Sequence, residues 1–166
     1  PRSTSSAASD VYKRQDAIGA IIAQKLQKKL QKKFLSRINI FDCGTSGMEV
    51  MFQAKGSQKL IIIDACSINS SPGTIYKVPG EELEELPEIN NSLHDFRWDN
   101  ALAVGKKIFK KEFPEDVTVY LIQVKDLSFG LEISSILQPA VKKVTEHIEE
   151  EIRHFVFKQK NKTINK

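Results

Sequence analysis

The chain has 166 residues, 40% apolar and 28% charged, enough for one buried core and ordinary for a single globular domain. Its net charge of +4 is local: lysines crowd Lys25 to Lys33 and Lys158 to Lys166, and Glu81 to Glu88 is acidic. No aromatic residues interleave with the lysines, no apolar run approaches the roughly 20 residues of a membrane span, and no signal-peptide core is present, so neither nucleic acid nor membrane is an expected partner.

Residues 1–15 begin without Met, are rich in Ser and Ala, and show neither alternation nor a helical period. They are read as a non-native or disordered tail, outside a domain spanning 16–157, with a basic tail over 158–166. From Asp16 onward Ile18, Ile21, Ile22, Leu26 and Leu30 recur at three- and four-residue steps with lysines opposite, the signature of an amphipathic helix. Arg37 to Phe41 alternates and reads as a strand, closed by Asp42-Cys43-Gly44. Met48 to Ala54 follows as a short helix. Lys59 to Asp64 is a near-continuous β-branched run, the pattern of a strand buried on both faces.

Ser70 to Gly73 is a turn and Thr74 to Val78 a short strand. A helix beginning at Ser92 or His94 presents Trp98, Ala101, Leu102, Gly105 and Ile108. Val117 to Val124 is a second buried strand. The last helix, from about Ser135, presents Val141, Val144, Ile148, Ile152 and Phe155, with Pro139 near its first turn, where a missing amide is tolerated.

Helix and buried strand alternate, which predicts a three-layer α/β/α sandwich with a mainly parallel, twisted sheet. Ligands of such folds gather at the carboxyl ends of the strands. Asp42 and Asp64 are expected to end strands there, and Asp16 and His94 to begin helices on the same edge, so the four can converge. Two carboxylates and an imidazole at element ends make a metal-type ligand set, suited to nickel or zinc with positions left open.

Each residue also has a plainer role. Asp16 can be a helix N-cap, worth about 1 kcal/mol. Asp64 can bond a helix N-terminus, since a buried carboxylate needs a partner. A lone His94 can be structural; His147 and His154 sit in a charged helix and are read as solvated. The Asp42 to Gly47 turn can be a capped strand-to-helix turn, or a phosphate cradle of a nucleotide-binding α/β module, although the usual Gly-x-Gly-x-x-Gly order is absent. Cys43 has no histidine nearby in sequence to activate it as a nucleophile. Cys43 and Cys66 lack disulfide or metal-finger spacing, which makes a reducing cytoplasm the expected compartment.

Four motifs carry a resemblance: Asp16-Ala17-Ile18-Gly19, Asp42-Cys43-Gly44-Thr45-Ser46-Gly47, Ile63-Asp64-Ala65 with Ser71-Pro72-Gly73-Thr74, and Ser92-Leu93-His94-Asp95. In order and spacing they resemble the hydrogenase maturation proteases, over Asp16 to about His154. The resemblance implies a cytoplasmic, monomeric endopeptidase that removes a C-terminal extension from the nickel-loaded large-subunit precursor of a nickel-iron hydrogenase. It implies that Asp16, Asp64 and His94 engage nickel, that of the substrate, with no organic cofactor. Asp42 is then a candidate catalytic base beside metal-activated water, and Gly44, Thr45 and Gly47 a substrate-binding turn. The sequence departs from the family at Gln15, usually acidic, and Cys43, usually Gly. The family's first strand and Gly-x-Gly-Asn turn are not visible ahead of Asp16, so an inactive, truncated remnant is an alternative.

Overall fold

The computed structural model describes residues 14–34, 37–44, 47–68, 70–82, 98–125 and 134–164, with side chains over 18–30, 37–44, 47–68, 70–82, 98–125 and 134–158. In chain order come helix α1 (Arg14–Phe34), helix α2 (Gly47–Ala54), strands β1 (Lys59–Cys66) and β2 (Ile75–Pro79), and helix α3 (Trp98–Phe109). A 3-10 turn over Lys110–Glu112 leads into strand β3 (Asp116–Gln123), and another over Ser135–Leu137 into helix α4 (Gln138–Ile164).

The described sheet has the order β1-β3-β2. β1 and β3 are parallel from Lys59↔Asp116 to Cys66↔Gln123. β2 runs antiparallel to β3, from Ile75↔Ile122 to Pro79↔Thr118. The two apolar runs are therefore the parallel pair, and the expected Thr74 to Val78 strand reverses direction at the edge. β3 lies between the others and is the most deeply buried, with Val119 and Ile122 at 0% exposure.

Alternation along the strands sends side chains to two cores. One face carries Ile61, Ile63, Ala65, Tyr120 and Ile122 under α1 (Ile18, Ile22, Leu26, Leu30) and α4 (Val141, Val144, Ile148). The other carries Leu60, Ile62, Val117, Val119 and Leu121 under α2 (Met51, Ala54) and α3 (Ala101, Leu102). Each fully buried aliphatic side chain contributes about 1.5–3 kcal/mol, so truncating one such as Ile22 is costly. The result is the expected three-layer α/β/α sandwich.

Four details depart from expectation. Arg37–Phe41 keeps its alternation, with Ile38 and Ile40 half-buried between exposed neighbours, yet it joins no ladder among the described residues. Ile40 packs on the α1 side, where its carbonyl accepts from Gln27 Nε2 at 3.3 Å. Ile108 is 58% exposed, and Phe109 takes its place against the α2/α3 core as the helix tightens into the 3-10 turn. Val156 is buried beside the half-buried Phe155. Helix α4 continues to Ile164, so the basic segment from Lys158 opens as helix instead of tail.

Candidate functional site

Asp64 is the centre of the site. It lies two residues before the end of β1, which continues through Cys66, so the carboxylate does not terminate the strand as expected. Leu60 and Ile62 point toward α2 and α3. Period-two alternation puts Asp64 on that same face. Both oxygens are held. Oδ1 accepts from the Ala65 amide at 2.8 Å, and Oδ2 from the indole Nε1 of Trp98, also at 2.8 Å. Trp98 is the first residue of α3, so this bond ties the start of that helix to the C-terminal half of β1.

His94 lies outside the described residues, four residues before Trp98 in sequence. The side chain of Asp16 is likewise outside the described set. Its backbone is the third residue of α1, in the first turn. It is thus inside the helix instead of capping it. Gly19, one turn further on, shows where that end of α1 sits: a Cβ there would come within 2.7 Å of the Ile63 carbonyl oxygen. A side chain is excluded because helix backbone presses on β1 one residue from Asp64. α1 covers the sheet face opposite to Asp64.

Asp42 is exposed, and its Oδ1 accepts from the Gly44 amide at 3.2 Å. Gly44 has φ +51°, a left-handed conformation that explains the glycine. This is a local turn stabilised by its own carboxylate, and Asp42 ends no sheet strand. A carboxylate on the first amide of the turn makes it a poor phosphate cradle, which removes the main support for a nucleotide site. Thr45 is outside the described residues. Gly47 is buried as the first residue of α2. Cys43 is half-buried, and burial, then the charges of Glu49 and Asp42, raise its thiol pKa. A thiol held protonated is a weak nucleophile. His147 and His154 are exposed on α4, as expected.

Among the described residues no three His, Cys, Asp or Glu side chains are grouped to hold a metal ion. Two further polar residues help to hold this region. Trp98 lies on an apolar helix face in the sequence pattern, and only tertiary contact brings its N–H to Asp64. Gln123, buried at the end of β3, accepts from the Ile68 amide at 2.9 Å and donates to the Val124 carbonyl at 2.8 Å, holding the chain that leaves β1. An amide inside an otherwise apolar strand was the visible signal for it.

Known proteins are similar to this chain in sequence and in fold. The Hydrogenase 2 maturation protease of Escherichia coli (strain K12) is 28% identical over 134 residues, 78% of this chain and 79% of its own length. The solved structure of the hydrogenase maturating endopeptidase HybD from E. coli superposes with a TM-score of 0.69 at 23% identity, covering 87% of each chain. The [NiFe] hydrogenase maturation protease HybD from Thermococcus kodakarensis gives 0.64 at 23% identity, covering 85% of this chain and 92% of its own. These structural likenesses establish the fold. The model of the hydrogenase maturation protease family matches residues 21–151, most of the chain. The chain therefore belongs to the hydrogenase maturation protease family, and is a peptidase.

Proposed function

We propose that this peptidase removes a C-terminal extension from the large-subunit precursor of a nickel-iron hydrogenase after nickel has been inserted, and that Asp16, Asp64 and His94 engage that nickel. The observation that carries the reading is the Asp64 carboxylate, held by two hydrogen bonds on the sheet face covered by α3, the helix that follows His94 by four residues. A carboxylate has roughly four acceptor positions, so groups that orient it can share it with a cation. Carboxylate oxygen with neutral imidazole suits a borderline cation such as nickel.

The nickel belongs to the substrate, and the protease reads it as a sign that the precursor is complete. The exposed Asp42 carboxylate is the candidate base for the attacking water, and water polarised by the substrate's cation is the competing route. Gly44, Thr45 and Gly47 form the turn that would lie along the peptide. The enzyme is expected to act as a monomer in the cytoplasm. Its unpaired, half-buried Cys43 and Cys66 accord with a reducing compartment, and no described helix is long and apolar enough to cross a membrane.

The test is gel mobility of a large-subunit precursor incubated with the protein, with and without nickel loading. The loaded precursor is shortened and the nickel-free precursor stays intact. Equal processing of both would end the completion-sensing reading.

A further inference from the structure

We infer that Trp98 is a positioning residue for Asp64: its indole N–H sets the plane in which the carboxylate meets a cation, and it ties that carboxylate to the helix beginning four residues after His94. The inference rests on the proposed reading of Asp64 as a nickel ligand, and extends it to a residue that lends no ligand atom.

The argument starts from rotation. A strand carboxylate turns about χ2 in a broad well, so left alone it presents its oxygens over a wide arc. Here both oxygens are tied, Oδ1 to the amide of the next residue and Oδ2 to the indole, each at 2.8 Å. The first bond is local and needs only the strand. The second spans 34 residues and exists only when α3 is docked. Indole Nε1–H is a donor and never an acceptor, so the bond has one possible direction. Donors of this kind fix the orientation of a metal-ligating group and commonly account for roughly 10- to 100-fold in metal affinity. The bland alternative is that a half-buried indole found the nearest acceptor. The two differ in what the bond controls, packing alone or the ligand's geometry.

Trp98 is the chain's single tryptophan, so it also reports on the site. A nickel ion bound by Asp64 would lie close to the indole whose nitrogen bonds the same carboxylate at 2.8 Å, and would be expected to quench its fluorescence. The experiment titrates the full chain with nickel(II) chloride alone, by calorimetry and by fluorescence. It includes Asp64→Asn, Trp98→Phe, and a semisynthetic chain with benzothienylalanine at position 98, which replaces the indole N–H by sulfur and keeps the fused ring.

Native protein should bind nickel with matching fluorescence quenching, and Asp64→Asn should lose both. Trp98→Phe and the sulfur isostere should weaken nickel binding roughly 10- to 100-fold at unchanged stoichiometry. The isostere carries the test if Trp98→Phe fails to fold. Native affinity in the isostere, with binding still lost in Asp64→Asn, overturns the role of Trp98 and leaves the Asp64 assignment standing. Native affinity in Asp64→Asn, or no binding by the native chain, overturns the assignment itself, and the inference falls with it.

Discussion

Strand β1 has charged groups toward both ends, and the two sit in different surroundings. At its start Lys59 bonds Asp116 at 2.7 Å and Glu151 of α4 at 2.9 Å. Glu151 also accepts from Lys77 and from the Tyr120 hydroxyl, both at 2.8 Å. Opposite charges are matched there within one half-buried cluster, which clamps α4 to all three strands. Near the other end, Asp64 accepts hydrogen bonds from an amide and an indole, which are uncharged donors. Such bonds orient the carboxylate. Matched ions mark a structural clamp, whereas the proposed function makes the oriented carboxylate a candidate ligand.

The largest expected effect separates the two ends. Asp64→Asn keeps volume and polarity and removes a charged ligand, so precursor processing should fall by more than about 100-fold, beyond the usual loss for an outer partner of a ligand. The melting temperature should move by less than about 2–4 °C, the equivalent of 1 kcal/mol for a chain of this size. Near-native processing by Asp64→Asn would make the two ends alike, and both structural.

Glu151→Gln should give the reverse result. Burial alone would raise the pKa of Glu151, but hydrogen bonds from Lys77, Lys59 and Tyr120 outweigh it and hold it down to about 2. Removing a paired, buried charge costs about 3–5 kcal/mol, and partial exposure of this carboxylate reduces that to ~2 kcal/mol. The expected fall in melting temperature is about 4–8 °C, with nickel-dependent processing retained. The pH dependence follows from the sign of the shift. A carboxyl with a depressed folded pKa stabilises the fold above its unfolded value, here 4.5, and loses that contribution as pH falls toward about 2. Urea midpoints should therefore decline across that window in the native chain and less steeply in Glu151→Gln. Parallel declines would remove Glu151 from the clamp.

Much of the clamp's scaffold was legible in the sequence, and little of its wiring. The β-branched runs at Lys59 and Val117 became the parallel pair, and helical steps of three and four located α1 and α4, because those patterns are local. Arg37–Phe41 shows why local pattern is insufficient: its alternation survives, but a strand exists only with a partner, and pairing is decided far away in sequence. The same limit hid the reversal of β2 and the bond from Trp98 to Asp64. Nothing local in the sequence marks Glu151 among the charges of α4, since its partners stand at 59, 77 and 120. Within the site, Asp64 was visible as a carboxylate interrupting an apolar run, although its strand continues two residues further. Asp16 and the Gly44 turn were placed by their glycines, Gly19 by close approach and Gly44 by positive φ. His94 and Thr45 rest on motif resemblance alone.

The smallest effect probes the rim of the clamp. Lys77 bonds the same Glu151 oxygen as Tyr120 and stands over the Tyr120 ring, 5.6 Å from its centroid, yet its side chain is 55% exposed. Solvent screens such a pair, whose typical worth is about 0–1 kcal/mol. Lys59 reaches Glu151 from a side chain only 12% exposed and is screened far less. Lys77→Met keeps the aliphatic stem over the ring and deletes the charge, so the melting temperature should fall by no more than about 2–4 °C. Lys59→Met leaves both Asp116 and Glu151 short of a cation, and should cost more than Lys77→Met in the same melt. The order of the two losses is the decisive readout. A larger loss at Lys77 would mean that the exposed cation, and not the sheltered one, holds Glu151 in place, and the clamp's centre would then lie on β2 instead of β1.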